Sequence, residues 1–166
     1  MGDYEEVNIK YLIIDVDGTL TDGKIYISNN GECFKVFDIK DGYGIHDILL
    51  PFGIMPIVIT GRASRIVENR CRELEITELY QGVKNKVHQL NDFLVRHGGT
   101  YSNCAYIGDD INDLACMELI KENGGLIGCP ADAIQQVINI ADFISNKHGG
   151  NGAVREFIEW LIESVK

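Results

Sequence analysis

The sequence is short of basic residues, of closely paired cysteines and of long apolar runs. Its 15 lysines and arginines stand against 25 acidic residues, a formal net charge of −10, whereas nucleic-acid binding needs a basic surface. The five cysteines include no CxxC pair, so neither a disulfide framework nor a zinc site is favoured. No run approaches the roughly 18 apolar residues of a transmembrane helix. These absences argue against nucleic-acid and membrane partners.

The first residues carry no targeting signal. Met1 to Glu6 has neither the basic region nor the apolar segment of a secretory signal, and Glu6 stands where a myristoylation signal needs Ser or Thr. We therefore expect a soluble, cytoplasmic protein. The 166 residues include 18 glycines and only 3 prolines, which suits one α/β domain spanning residues 1–166.

Strand-like apolar runs alternate with amphipathic helical stretches, which predicts a parallel sheet with helices on both faces. The first strand begins at Tyr11, and the later predicted strands are Met55 to Ile59, Ile76 to Tyr80, Cys104 to Gly108, Gly125 to Gly128 and Ile140 to Ile144. The predicted helices are Ile45 to Phe52, Ala63 to Glu73, Lys86 to about His97, Leu114 to Lys121, Ala131 to Val137 and Val154 to Val165.

Residues 22–39 form two alternating segments on either side of Asn30-Gly31, which predicts a β-hairpin. A hairpin inserted directly after the first strand would stand over the strand ends as a flap, and the alternative is a simple two-stranded edge. An isolated hairpin is marginally stable. Its apolar face, with Ile25, Ile27, Phe34 and Val36, therefore favours oligomerisation through the hairpin.

Two carboxylates follow the first strand. Asp15 and Asp17 come where the apolar run stops, and ligands of parallel sheets bind beyond the carboxyl ends of the strands. Residues two apart on a strand share a face, so both acids point towards one place. Their mutual repulsion needs a cation or a shared proton to offset it, which indicates a divalent metal.

Other chemically active residues follow later strands or begin helices. Thr60-Gly61-Arg62 follows the second predicted strand, Lys86 begins a helix and Asp109 follows Gly108. Each residue alone is more often a solvated surface group. Together they supply a nucleophile, a hydroxyl, a cation and metal-binding oxygens, which is what phosphoryl transfer requires.

The charges indicate a role for each of these residues. Mg²⁺ held by Asp15, Asp109 and the backbone carbonyl of Asp17 would reduce the repulsion between a carboxylate nucleophile and a phosphate dianion. Asp15 would attack to form an aspartyl-phosphate, and Asp17 would protonate the leaving alkoxide and later activate water. Lys86 and Thr60 would hold the phosphoryl oxygens.

The chain resembles the haloacid dehalogenase-like (HAD) phosphatases. The resemblance rests on four motifs that span the chain: Asp15-Val16-Asp17-Gly18-Thr19, Thr60, Lys86 and Gly108-Asp109-Asp110-Ile111-Asn112-Asp113. There is no room for a large cap domain. Segments around residues 37–45, 80–82 and 149–156 are similar to the capless sugar-acid phosphatases, above all the family acting on 3-deoxy-D-manno-octulosonate 8-phosphate in lipopolysaccharide precursor synthesis.

This resemblance implies a Rossmann-like HAD fold, Mg²⁺ as cofactor and a homotetramer built through the hairpins, in which a neighbouring subunit helps to cover each site. It also implies a set of residues that bind the substrate. They are Asp17, Asp38, Ile39, Lys40, Asp41, Gly42, His46, Arg62, Arg70 and Lys86. From the residues alone, a solvated helix cation is the preferred interpretation of Arg70.

Three positions depart from the family pattern: His46 replaces Arg, Asp38 replaces Asn and Asn151 replaces Arg. The loss of two cations bears on the choice of sugar acid. Cys129-Pro130-Ala131-Asp132-Ala133 resembles a domain fused to acylneuraminate cytidylyltransferases, so a nonulosonate 9-phosphate is an alternative substrate and a non-catalytic tetramerisation domain is another alternative function. Against the nine-carbon substrate, relatives that act on it can carry Glu after Thr-Gly, where this chain has Arg62. A phosphate-accepting receiver domain is a third, but it would leave Asp17 and the hairpin without a role.

Overall fold

The computed structural model describes residues 8–166. Residues 1–7, which include the Met1 to Glu6 segment without a targeting signal, lie outside the described residues. Among the described helices, none has the length and apolar character needed to cross a membrane.

A six-stranded parallel sheet with the order β5-β4-β1-β6-β7-β8 forms the centre of the fold. Its strands are β1 (Tyr11–Ile14), β4 (Met55–Ile59), β5 (Glu78–Tyr80), β6 (Cys104–Ile107), β7 (Leu126–Cys129) and β8 (Phe143–Ile144). The strands β2 (Tyr26–Ser28) and β3 (Gly31–Phe34) form a separate antiparallel hairpin. The predicted α/β architecture is confirmed.

Helices cover both faces of the sheet. They are α1 (Ile39–Tyr43), α2 (Leu50–Phe52), α3 (Arg65–Glu73), α4 (Lys86–His97), α5 (Ile111–Glu122), α6 (Gln135–Ile140) and α7 (Ala153–Ser164), with a short 3₁₀ helix at Tyr101–Asn103. One core contains side chains from α3 and α7, and the other contains side chains from α4, α5 and α6. Every residue of β1 is buried because the strand lies between β4 and β6 and under both helical layers.

The helix expected from Ile45 begins six residues earlier. A continuous helical stretch runs from α1 through a wider π-helical segment (Gly44–Leu49) into α2. The side chain of Asp38 accepts a hydrogen bond from the backbone N–H of Lys40 and caps this stretch. Gly44 has helical dihedral angles, and a Cβ there would lie 3.1 Å from the Arg155 side chain and 3.3 Å from the Ile158 side chain, so the glycine allows α7 to pack closely.

The hairpin is present, but its loop lies one residue earlier than predicted. Ser28 pairs with Gly31, so the two-residue loop is Asn29-Asn30 and Gly31 begins β3 with a φ of 103°. Glycine adopts this positive φ without a steric cost. A shift of register after Tyr26 then twists the two strands against each other.

Several later boundaries also differ from the prediction. Ile140, the predicted start of the last strand, ends α6, and β8 is confined to Phe143–Ile144. α5 begins at Ile111 rather than Leu114, because the side chain of Asp110 caps its first turn. Residues 131–133 form a turn rather than the start of α6, and the backbone N–H of Ile134 bonds to the carbonyl of Asp109. This bond ties the segment before α6 to the loop that follows β6.

Candidate active site

Asp15 lies at the carboxyl end of β1, where the chain leaves the sheet in a wide turn, Val16–Leu20. Asp15 is 4% exposed, and its backbone N–H bonds to the carbonyl of Ile107 on β6. Gly18 has a φ of 90°, and a Cβ on it would lie 2.0 Å from Oδ2 of Asp109. A residue without a side chain at position 18 is therefore needed for the two loops to come this close.

A buried network joins Asp15 to two other motifs. The Nζ of Lys86, at the start of α4, lies 2.7 Å from Oδ1 of Asp15 and 2.9 Å from Oδ1 of Asp113. Asp113 has no exposed surface and also accepts hydrogen bonds from the Tyr106 hydroxyl and from the backbone N–H groups of Asp109 and Asp110. The network holds the ends of β1, β6 and α4 in a single arrangement.

The carboxylates of Asp15, Asp109 and Asp113 each place an oxygen within 4.8 Å of the others. Lys86 is the only cation bonded to this group among the described residues, so one positive charge faces three carboxylates. Asp113 already accepts four hydrogen bonds, while Asp109 accepts one from the Thr19 hydroxyl at 3.0 Å. Oxygens of Asp15 and Asp109 are therefore the ones that suit a divalent cation.

Burial and the neighbouring negative charges raise the pKa values of two carboxylates in this group. Burial raises the pKa of Asp15 well above its usual range, and the charge of Asp113 raises it further, whereas Lys86 lowers it. Burial also raises the pKa of Asp109, to about 6. Burial alone would lower the pKa of Lys86, but the Asp15 and Asp113 charges raise it. Two carboxylates with raised pKa values around one ammonium fit a site for Mg²⁺.

Asp17 lies in the same turn but does not join this network. Its side chain is 24% exposed, and its Oδ1 lies 2.6 Å from the Nζ of Lys35, which follows β3 of the hairpin. Lys35 also bonds to Glu32 at 3.0 Å. Burial would lower the pKa of Lys35, but the hydrogen bonds to Asp17 and Glu32 offset this and raise it. The hairpin thus contacts the candidate site directly, as the flap hypothesis requires.

Thr60 and Arg62 follow β4 at the same edge of the sheet. The register pairs Ile14 with Val58, which places Thr60 beside the end of β1. Thr60 is buried, with 2% of its surface exposed, whereas Arg62 is exposed. The charge of Arg62 acts on Glu32 of the hairpin and lowers the pKa of that carboxyl, after the larger effect of a hydrogen bond from Ser64.

Four of the predicted substrate residues lie around one cavity of about 220 Å³ between the first helical stretch and α3. They are Ile39, Gly42, His46 and Arg70. The Arg70 guanidinium lies 5.7 Å from the centre of the Phe37 ring and 2.9 Å from Glu73. Arg70 is therefore not a fully solvated helix cation, because it packs against the segment after the hairpin.

Asp38, Lys40 and Asp41 lie apart from that cavity. Asp38 caps α1, and Lys40 is exposed. Asp41 is 1% exposed, and its Oδ1 accepts a hydrogen bond from the backbone N–H of Arg155 at the start of α7. Burial raises the pKa of Asp41 to about 6, although hydrogen bonds from α7 lower it. Asp41 thus holds the start of α7.

Lys35, Asp113 and Tyr106 belong to the candidate site, but the sequence predicted no role for them. Asp113 closes the fourth motif and sits four residues after Asp109, a spacing that places it in the first turn of α5. That spacing could have indicated that Asp113 lies near Asp109. No sequence pattern indicated a role for Lys35 or Tyr106, because only the fold brings them to their partners Asp17 and Asp113.

No family model matches the chain. Over 155 residues the chain is 45% identical to the 3-deoxy-D-manno-octulosonate 8-phosphate (KDO 8-phosphate) phosphatase KdsC of Escherichia coli (strain K12), covering 93% of this chain and 80% of the relative. The chain belongs to the KDO 8-phosphate phosphatase family. This family lies within the HAD superfamily: the structure of a subfamily IIIA HAD hydrolase from Legionella pneumophila matches with a TM-score of 0.88, 34% identity and coverage of 96% and 85% of the two chains.

The crystal structure of another member of the KDO 8-phosphate phosphatase family contains bound ligands. The crystal structure of the enzyme from Moraxella catarrhalis contains a magnesium ion, a phosphate ion and a KDO molecule. It matches this chain with a TM-score of 0.87 and 36% identity, over 96% of this chain and 88% of the other. The predicted family and fold are confirmed.

Proposed function

We propose that this protein is a Mg²⁺-dependent phosphatase that hydrolyses KDO 8-phosphate to KDO and inorganic phosphate. The observation that carries the proposal is the buried group of Asp15, Lys86, Asp109 and Asp113 at the strand ends. It occurs in a chain that is 45% identical over 93% of its length to KdsC of Escherichia coli. A non-catalytic domain would not require this buried group of charged side chains.

Asp15 is the proposed nucleophile. Lys86 bonds to its Oδ1 at 2.7 Å and fixes the side chain, which leaves the other oxygen to attack phosphorus in line with the departing alkoxide. The bond from Asp15 to phosphorus forms as the ester bond breaks, which gives an aspartyl-phosphate. Lys86 and the buried hydroxyl of Thr60 would bind the phosphoryl oxygens.

Mg²⁺ would be held by Asp15, Asp109 and the backbone carbonyl of Asp17. When bound, it would neutralise part of the carboxylate and phosphate charge that otherwise keeps nucleophile and substrate apart. Thr19 would orient Asp109 through the hydrogen bond at 3.0 Å.

Asp17 is the proposed general acid and base. It would give its proton to the leaving alkoxide oxygen, and the resulting carboxylate would take a proton from the water that attacks the aspartyl-phosphate. Its partial exposure, 24%, allows contact with the leaving group and with water. Asp15 is nearly buried and held by Lys86, which suits a nucleophile in a fixed position, so the two carboxylates take different roles.

The sugar acid would be bound by residues of the first helical stretch, α3 and the loop after β4. These proposed contacts are Asp17, Asp38, Ile39, Lys40, Asp41, Gly42, His46, Arg62, Arg70 and Lys86. Arg62 and Arg70 supply cations for the carboxylate of the substrate. His46, Asp38 and Asn151 differ from the family pattern, and we propose that they adjust the choice of sugar acid.

We further propose that the protein is a cytoplasmic homotetramer assembled through the hairpins. The residues on the apolar face of the hairpin are exposed in the single chain: Ile25 by 48%, Ile27 by 66%, Phe34 by 51% and Val36 by 41%. A two-stranded hairpin with so much exposed apolar surface gains stability when copies pack together.

The substrate is tested by measuring phosphate release from KDO 8-phosphate and from a nonulosonate 9-phosphate, with Mg²⁺ and with a chelator. We expect faster turnover of KDO 8-phosphate and no turnover with the chelator. Preference for the nine-carbon ester would reassign the substrate, and turnover of neither ester would refute the phosphatase.

The nucleophile is tested with Asp15→Asn, which should abolish phosphate release while the far-UV circular dichroism stays unchanged. Asp92→Asn is the matched control, because Asp92 is an exposed carboxylate on α4 with 53% of its side chain accessible. Turnover by Asp15→Asn at the rate of Asp92→Asn would rule out the nucleophilic role.

A further inference from the structure

Lys35 joins the hairpin to the candidate acid and base. Its side chain is only 3% exposed, which is unusual for a lysine, and its ammonium lies between Oδ1 of Asp17 at 2.6 Å and Oε1 of Glu32 at 3.0 Å. The bond to Asp17 spans 18 positions of the chain, from the turn after β1 to the end of β3. The two carboxylates offset the cost of burying the Lys35 ammonium.

The second partner fixes the hairpin to another strand end. Glu32 accepts a hydrogen bond from the hydroxyl of Ser64, and the backbone N–H of Ser64 bonds to Oε1 of Gln81 at 2.8 Å. Ser64 directly precedes α3 and follows the Thr60 to Arg62 loop. The ammonium of Lys35 therefore has a position set from both sides, by the turn after β1 and by the loop after β4.

This arrangement leaves one oxygen of Asp17 free. Oδ1 accepts a hydrogen bond from the ammonium, and Oδ2 accepts no hydrogen bond from any of residues 8–166. A charge-assisted bond to one oxygen restrains rotation of the carboxylate and directs the second oxygen. The carboxylate form is the one that accepts a proton from water in the second half of the reaction.

We propose that Lys35 is a positioning residue for the water-attack step, acting through Asp17. The inference rests on the proposed function. In this step the water oxygen bonds to phosphorus, the bond from Asp15 to phosphorus breaks, and one proton of the water passes to Oδ2 of Asp17. Inorganic phosphate leaves, and Asp17 holds the proton that it gives up in the next turnover. The hairpin thus supplies a residue to the site of its own chain.

The test uses p-nitrophenyl phosphate, whose leaving group needs little help from an acid. In Lys35→Met we expect kcat to fall about tenfold or more, since general-base catalysis contributes about 10²- to 10⁴-fold. We expect kcat/KM, which reports formation of the aspartyl-phosphate, to stay within about threefold of the wild type. Rapid mixing should show a burst approaching one nitrophenolate per active site, followed by a slow phase.

Two variants separate positioning from loosening of the hairpin. Lys35→Arg keeps the charge and should recover most of kcat, while Lys24→Met removes an exposed lysine of the same segment and should match the wild type. Circular dichroism checks that each variant folds. A fall of kcat and kcat/KM by the same factor, without a burst, would overturn the proposal, as would an unchanged kcat.

Failure of this inference differs from failure of the proposed function. A wild type that cleaves p-nitrophenyl phosphate but not KDO 8-phosphate refutes the substrate, and the comparison of Lys35 variants still decides the role of the hairpin. A wild type that cleaves neither ester refutes both.

Discussion

Replacement of Asp113 by asparagine is the most direct test of the buried network. The Asp113 carboxylate accepts hydrogen bonds from Lys86, from the Tyr106 hydroxyl and from the backbone N–H groups of Asp109 and Asp110. An asparagine side chain keeps one acceptor oxygen and turns the other position into a donor. In either orientation of the amide, two of the four donors then face an N–H group instead of an oxygen.

The decrease in the free energy of unfolding caused by Asp113→Asn can be estimated from these hydrogen bonds. Hydrogen bonds to a charged group contribute about 1.5–3 kcal/mol each, so two of them account for about 3–6 kcal/mol. Removal of one negative charge from the group with Asp15 and Asp109 relieves some repulsion and offsets part of this loss. We therefore expect Asp113→Asn to lower the free energy of unfolding by about 3 kcal/mol, or the melting temperature by roughly 10 °C.

The measurement is urea unfolding followed by circular dichroism, with a chelator present so that a bound metal does not stabilise the folded state. Asp110→Asn is the matched control: its side chain caps α5, where asparagine caps as well as aspartate, so we expect a change below about 0.5 kcal/mol. Tyr106→Phe removes one donor to this charged group and should cost about 1.5–3 kcal/mol. Equal stability of Asp113→Asn and Asp110→Asn would refute the reasoning.

Three further predictions concern other parts of the molecule. Burial raises the pKa of Asp41 from 3.8 to about 6, so the folded state loses stability as the pH rises across that range. Relative to the wild type, Asp41→Asn should gain about 2 kcal/mol between pH 4 and 7 in urea unfolding, and a constant difference would contradict this. Gly18→Ala should abolish phosphate release, since its Cβ would meet Asp109 at 2.0 Å, while Gly31→Ala, with a positive φ but nothing within 4 Å, should stay active; equal activities would contradict this. Ile27→Asp should reduce the proposed tetramer to smaller species in light scattering, and an unchanged mass would exclude the hairpin interface.

The strand ends were predictable because the edge of a parallel sheet collects whatever follows each strand. Asp15 and Thr60 come directly after a buried strand and Asp109 one residue further on, and the register of β1 with β4 and β6 brings them to one edge. Local sequence patterns such as Asn-Gly were less reliable for predicting where helices and strands begin and end. Asn30-Gly31 located the hairpin but not its register. The helix predicted from Ile45 begins at Ile39, where Gly42 and Gly44 allow close packing against α3 and α7.

By itself the sequence determined the alternation of strands and helices, the hairpin and the carboxylates that follow the strands, because these depend on patterns a few residues long. Only the tertiary structure decided how the charges are paired. Lys35 meets Asp17, and Lys86 meets Asp113, across long stretches of chain. The physical reason is that a buried charge is stable only beside its partners, and the packing of the sheet, helices and hairpin selects those partners.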